Sequence, residues 1–157
     1  MKDVTAFSDG ACLGNPGPGG YGAILKYGER SKELSGGFRR TTNNRMELMG
    51  AIRALEALKE PCAVTLFSDS EYVVNSISKG WAVNWRLKGW QRKGGVVPNW
   101  DLWRELLGLC ERHKVTFRWV EGHAGHVENE RCDELAVAAA KSAALEIDLG
   151  YEDPARP

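Results

Sequence analysis

The feature that most constrains this chain is a pattern that occurs twice: a short apolar run cut off by Ser-Asp. Val4-Thr5-Ala6-Phe7 is β-branched and aromatic, and it ends in Ser8-Asp9-Gly10. Val64-Thr65-Leu66-Phe67 ends in Ser68-Asp69-Ser70. Both runs favour extended backbone. A single Asp-Gly after a strand is an ordinary turn, but a turn does not explain two matching units. Between them Leu48, Ala51, Ile52, Leu55 and Leu58 recur at helical spacing, and Pro61 ends the segment. A strand, a long helix and a second strand imply a crossover, and crossovers join parallel strands. With the two strands adjacent, Asp9 and Asp69 meet at the carboxyl edge of one sheet, where open α/β sheets carry their sites.

The remaining elements fill in around that pair. The Gly/Pro stretch from Gly14 to Gly20 is read as a loop, Tyr21–Tyr27 as a strand, Gly28-Glu29-Arg30 as a turn and Ser31–Phe38 as a third strand. Short connections make these an antiparallel meander. Asn44 is placed as the N-cap of the long helix, which puts Glu47 at N3, where a capping-box glutamate sits. Glu47 therefore has a structural reading beside any functional one. A short helix covers Tyr72, Val73 and Ile77, and another opens at Asn99-Trp100-Asp101. Val115–Val120 is a clear strand. It runs into the Gly-punctuated loop Glu121–His126, which holds two of the three histidines. A last helix spans roughly Val127 to Ala144 and carries Asp133. Residues 1–145 are read as one domain with a real core, and 146–157, with Gly150, Pro154 and Pro157, as a mobile tail.

Charge enters through its distribution. Lys plus Arg and Asp plus Glu are both 21, so the total selects no partner. Between Glu71 and Asp101, however, there is no acidic residue. That stretch carries Lys79, Arg86, Lys88, Arg92 and Lys93, interleaved with Trp81, Trp85, Trp90 and Trp100. A helix lying over a satellite tryptophan cluster accounts for part of it, since Trp81 and Trp85 share a helix face. The missing counter-charge favours a basic arm offering aromatic surfaces to a nucleic-acid backbone. No apolar run approaches the ~20 residues of a membrane span. Cys12, Cys62, Cys110 and Cys132 are scattered without a C-x-x-C pair, which argues against a zinc site. With no signal-type stretch at the N-terminus, they fit reduced thiols in the cytoplasm.

Four acids stand out: Asp9, Glu47, Asp69 and Asp133. Clustered at one sheet edge they repel unless neutralised, and an all-oxygen site suits Mg²⁺ or Mn²⁺ rather than zinc. Two such ions about 4 Å apart can clamp both oxygens of an in-line phosphoryl displacement.

On these residues the chain resembles bacterial-type ribonuclease H, type 1, from about Thr5 to Ala138. The carriers are D-G-x-C-x-G-N-P-G at Asp9–Gly17, T-T-N-N-R-M-E-L at Thr41–Leu48, T-L-F-S-D-S at Thr65–Ser70 and G-H-A-G-H-x-E-N-E-R-C-D at Gly122–Asp133. The resemblance implies an α/β fold: a five-stranded mixed sheet, three strands antiparallel and the rest parallel, flanked by helices. It implies a monomeric enzyme that hydrolyses the RNA strand of RNA–DNA hybrids with two metal ions, leaving 5′-phosphate and 3′-hydroxyl ends. The metal-binding acids fall on Asp9, Glu47, Asp69 and Asp133, and the mobile-loop histidine on His123. Minor-groove contacts fall on Cys12, Asn15, Asn43 and Asn44, and the pocket for a DNA-strand phosphate on Arg40, Thr42 and Asn99. Trp81, Trp85, Arg86, Lys88 and Trp90 belong to the basic protrusion. Glu71 stands where the family commonly has Gln, and a carboxylate cannot donate as an amide does. Alternatives are a resolvase- or integrase-like nuclease acting on DNA, a non-catalytic nucleic-acid-binding module, and a sugar-kinase or actin-like ATPase. The last lacks a second phosphate loop downstream.

Overall fold

The computed structural model describes residues 1–157. The chain runs β1 (Lys2–Cys12), β2 (Gly17–Tyr27), β3 (Arg30–Thr41), α1 (Asn43–Glu56), β4 (Cys62–Ser68), α2 (Glu71–Ser78) and α3 (Trp81–Leu87). A small hairpin of β5 (Gln91–Arg92) and β6 (Gly95–Val96) follows, then α4 (Trp100–Arg112), β7 (Lys114–Trp119), α5 (Val127–Ala140), β8 (Leu145–Glu146) and α6 (Leu149–Glu152). The main sheet has the order β7-β4-β1-β2-β3-β8. β1, β2 and β3 are antiparallel neighbours, while β4 and β7 add in parallel. This is the mixed sheet expected of the sequence, with β8 as a two-residue sixth strand beside β3.

The glycine-rich segment departs from the loop reading. Gly17, Gly19 and Gly20 lie inside β2, not before it. The reason is close packing. A Cβ at Gly20 or Gly22 would collide with backbone of α5 around Ala136 and Cys132. These positions therefore let α5 lie almost against the sheet, and with it the turn that carries Asp133. On the opposite face α1 packs over β1, where a Cβ at Gly10 would meet the backbone of Met46 and Glu47. The core fills the space between the α1 face and the helices beyond it. Leu48, Ile52, Leu55, Leu66, Trp103 and Leu106 are all fully buried. Burial of that kind is the main favourable contribution to folding.

Three further expectations are corrected. The N-cap of α1 is Thr42, not Asn44; its side chain accepts from the Arg45 N–H at 3.3 Å. The helix thus starts earlier, and Glu47 lies beyond the capping-box position. The C-terminal stretch from residue 146 is docked, not loose. Asp148 is 4 % exposed and bonded to Arg45 and Thr41, so the folded unit extends past residue 145. α5 itself stops at Ala140, short of Ala144.

Candidate active site

Strand register builds the site. β1 and β4 pair Phe7 with Phe67 and Ser8 with Ser68, so Asp9 and Asp69 are the next residues on adjacent parallel strands. The two phenylalanine rings stack at 5.3 Å just behind them. Glu47 arrives from α1, and the Gly10 N–H donates to its carboxylate. The same N–H donates to Asp9 Oδ1 at 2.9 Å. Acceptor oxygens of Asp9, Glu47 and Asp69 come within 4.8 Å of one another. Asp9 is 5 % exposed and Glu47 4 %.

That crowding shows in the acidities. Burial pushes the Asp9 carboxyl up to about 7; its hydrogen bond with Glu47 opposes the rise, and the Asp69 charge adds to it. Burial, then the charge of Asp9, pushes Glu47 well above the ordinary carboxylate range. None of the ion pairs in the structure involves Asp9, Glu47 or Asp69. Like charges this close favour protonation unless a cation intervenes. The donor set is all oxygen, which fits a hard divalent cation.

Around the three acids lies an open cleft of about 560 Å³. Asp133 lines it from the second turn of α5, half-buried, but stands outside the tight group of three. β7 delivers the loop that follows. Ser68 pairs with Trp119, the Val120 N–H donates to the Ser68 carbonyl at 3.0 Å, and Trp119 Nε1 donates to the Asp69 carbonyl at 3.1 Å. Gly122 then passes so close that a Cβ there would sit 2.7 Å from Asp69 Oδ2. His123 follows at φ 56°, exposed on the cleft wall. Cys12, Asn43 and Asn44 line the same cleft, and Asn15 Oδ1 accepts from the Asn43 N–H at 3.1 Å.

The other candidates lie apart from it. Arg40 is exposed at the end of β3, Thr42 caps α1, and Asn99 precedes α4. In the arm, Trp81 is 45 % exposed. Trp85 is half-buried and packs edge-on against Trp103 at 5.8 Å. Trp90 is a correction: at 6 % exposure, beside Trp100 in the core, it has no free face for a base. Arg86 pairs with Glu111 of α4 at 2.6 Å. The counter-charge missing from the sequence window comes from a different helix. Sequence reasoning passed over Tyr72, which lines the cleft. Its position three residues after Asp69, in the first turn of a helix, was the available signal.

The RNase H family model matches residues 1–141. A ribonuclease H of Syntrophus aciditrophicus is 60 % identical over 152 residues, spanning 96 % of this chain and 88 % of the relative. One of Desulforamulus reducens is 61 % identical over 150 residues, spanning 95 % and 94 %. The crystal structure of LC9-RNase H1, a type 1 RNase H with the type 2 active-site motif, superposes with a TM-score of 0.80. It is 35 % identical and covers 98 % of this chain and 80 % of that one. The crossover sheet with its acidic edge is thus an α/β domain of the ribonuclease H-like class. Within that class, the chain belongs to the RNase H family.

Proposed function

We propose that this chain is an endonuclease that hydrolyses the RNA strand of RNA–DNA hybrids, with Asp9, Glu47, Asp69 and Asp133 holding two Mg²⁺ ions, Mn²⁺ being the alternative. The observation that carries the reading is the group of three buried or half-buried carboxylates within 4.8 Å, without a basic partner, at the sheet edge of an RNase H-family chain. Divalent cations bound there supply the positive charge that stabilises in-line displacement at phosphorus.

The chain's own groups do the rest. Asp9, at the end of β1, would hold the cations together with Glu47 and Asp69, whose acceptor oxygens lie within 4.8 Å of its own. Gly10 orients the Glu47 carboxylate through its N–H. Asn43 and Asn44, exposed in the first turn of α1, offer amide donors and acceptors to 2′-hydroxyls, which distinguish RNA from DNA. Cys12 and Asn15 adjoin them. His123, on the exposed loop, is placed to move a proton at the scissile phosphate or the departing product. Arg40, Thr42 and Asn99 take a phosphate of the DNA strand. Trp81, the exposed edge of Trp85 and the cation of Lys88 steady that strand farther on, with Arg86 in part committed to Glu111. Products carry 5′-phosphate and 3′-hydroxyl ends. No helix is long and apolar enough to cross a membrane; the reading includes a monomer at work in the cytoplasm.

The test is incubation with end-labelled hybrid, duplex DNA and duplex RNA, each with Mg²⁺ and with EDTA. Cleavage confined to the RNA of the hybrid, and dependent on metal, is expected. Cleavage of duplex DNA would favour a resolvase-like nuclease instead, and binding without cleavage a non-catalytic module.

A further inference from the structure

Residues 142–157 lie outside the stretch matched by the RNase H family model, yet a densely bonded buried group ties them down. The Arg45 side chain is 3 % exposed. Its guanidinium uses all five of its N–H donors. Nε and Nη2 donate to Asp148 at 2.8 and 3.0 Å, and Nη1 and Nη2 donate to Asp101 at 2.9 and 2.7 Å. The remaining Nη1 hydrogen reaches Asn99 Oδ1 at 3.5 Å. Thr41 Oγ1 donates to Asp148 at 2.7 Å. Gly150 closes over the network, where a Cβ would strike the Asp101 carboxylate and the Arg45 guanidinium.

The contact with Asn99 decides which way its amide faces. A guanidinium only donates, so the oxygen of Asn99 must face Arg45. Nδ2 then points away, gives one hydrogen to the Tyr72 hydroxyl at 3.2 Å, and keeps the other free. Asn99 stands in the left-handed region at φ 61°, and its side chain does not cap α4. The amide is thus presented as a donor, the polarity that a phosphate oxygen requires. Two bidentate forks fix the guanidinium in plane, and bidentate pairs add geometric specificity to their strength.

We infer that Arg45 and Asp148 are positioning residues for substrate: Asp148, carried by the C-terminal segment, locks Arg45, and Arg45 orients Asn99 toward a DNA-strand phosphate. This rests on the phosphate pocket proposed above. The C-terminal segment is then part of the substrate grip, although it touches no substrate.

The test measures KM and kcat on hybrid for Asp148→Asn, Gly150→Ala, Asn99→Ala and the Asp148→Asn/Asn99→Ala double variant. Each is assayed at a temperature where its melting curve shows it folded. Asp148→Asn and Gly150→Ala should raise KM about three- to tenfold, the scale of one hydrogen bond. The value of kcat should stay within about twofold. The double variant should bind no worse than Asn99→Ala alone, because both changes act on the same contact. An unchanged KM for Asn99→Ala would overturn the pocket itself. A raised KM for Asn99→Ala with no change in Asp148→Asn and Gly150→Ala would overturn the positioning role, as would effects that multiply in the double variant. Gly150→Ala keeps every charge in place, so it reports on position even if Asp148→Asn fails to fold.

Discussion

Helix α1 carries two charged residues two positions apart, Arg45 and Glu47, and they end in opposite electrostatic states. Residues at i and i+2 lie on different sides of a helix. Arg45 turns toward α4 and the C-terminal segment, where one cation is shared between Asp101 and Asp148. Glu47 turns to the sheet edge, where it joins Asp9 and Asp69 with no lysine or arginine paired to them. Burial is similar, at 3 % exposure for Arg45 and 4 % for Glu47. What differs is compensation. The acidities follow: burial pushes Asp101 up, but the Arg45 fork outweighs it and holds that carboxyl below its usual value. Asp9 and Glu47 are pushed the other way. Compensated buried charge here is architecture; uncompensated buried charge is the site.

Removing one charge from each region should separate the two most sharply. Asp9→Asn is expected to abolish hybrid cleavage in saturating Mg²⁺ while the protein stays folded and, without metal at pH 8, becomes more stable. The carboxyl displaced from 3.8 to about 7 corresponds to a destabilisation of up to roughly 4 kcal/mol that the amide removes. Near-wild-type cleavage would break the assignment. Arg45→Met should do the reverse. It leaves Asp101 and Asp148 without their cation and is expected to cost about 3–5 kcal/mol, the usual scale for breaking a buried pair. Urea unfolding measures it, and a loss under about 1 kcal/mol would mean that the network is not holding the fold.

Acidification should sort the regions by sign. Asp9 has a folded-state value raised above the unfolded one, so its penalty applies in full above about pH 7 and is relieved as pH falls toward 4. Asp101 has a lowered value, so its contribution is present above about pH 4 and is lost as pH falls further. In metal-free buffer the stability advantage of Asp9→Asn over wild type should shrink between pH 8 and 5. A constant advantage would contradict the burial account. His113 works against the trend in both proteins. It is buried, its Nδ1 accepts from the Cys62 N–H at 3.0 Å, and burial disfavours the imidazolium and lowers its pKa, so its contribution fades below about pH 6.5.

How much of this was legible in the sequence differs between the regions for a physical reason. β1 and β4 could be read because β-branched and aromatic runs end in Asp, and a crossover admits one arrangement. The edge pairing of Asp9 with Asp69 follows from that alone. Asp133 was singled out by its place in the helix after the last strand, but only the resemblance gave it a role, since an acid in an alanine-rich helix looks like a solvated one. The Arg45 network was not legible. Its partners lie 56 and 103 residues away, and Asp148 sits in a polar, Gly/Pro-containing stretch that reads as a tail. Gly17–Gly20 misled in the other direction, because glycine marks close helix approach as readily as a loop. Trp90 and Trp81 look alike in sequence, and only packing separates the buried ring from the exposed one.

The smallest expected effect lies in the arm. Replacing Lys88, Arg92 and Lys93 with alanine, and leaving the paired Arg86 in place, should weaken hybrid binding and make its salt dependence shallower. Each lost phosphate contact removes about 0.9 from the slope of log K against log salt. Affinity titrations from low to moderate salt would show it. An unaltered slope with a lowered melting temperature would assign the arm to structure.

The most direct test of the central claim is a melting curve at pH 8, for wild type and Asp9→Asn, as Mg²⁺ is titrated at constant ionic strength. A ligand that binds only the folded state raises stability as its concentration passes its dissociation constant. If the uncompensated carboxylates hold the cation, wild type should begin below Asp9→Asn and rise with Mg²⁺, while Asp9→Asn stays nearly flat. Two curves that rise in parallel, or neither rising, would contradict it.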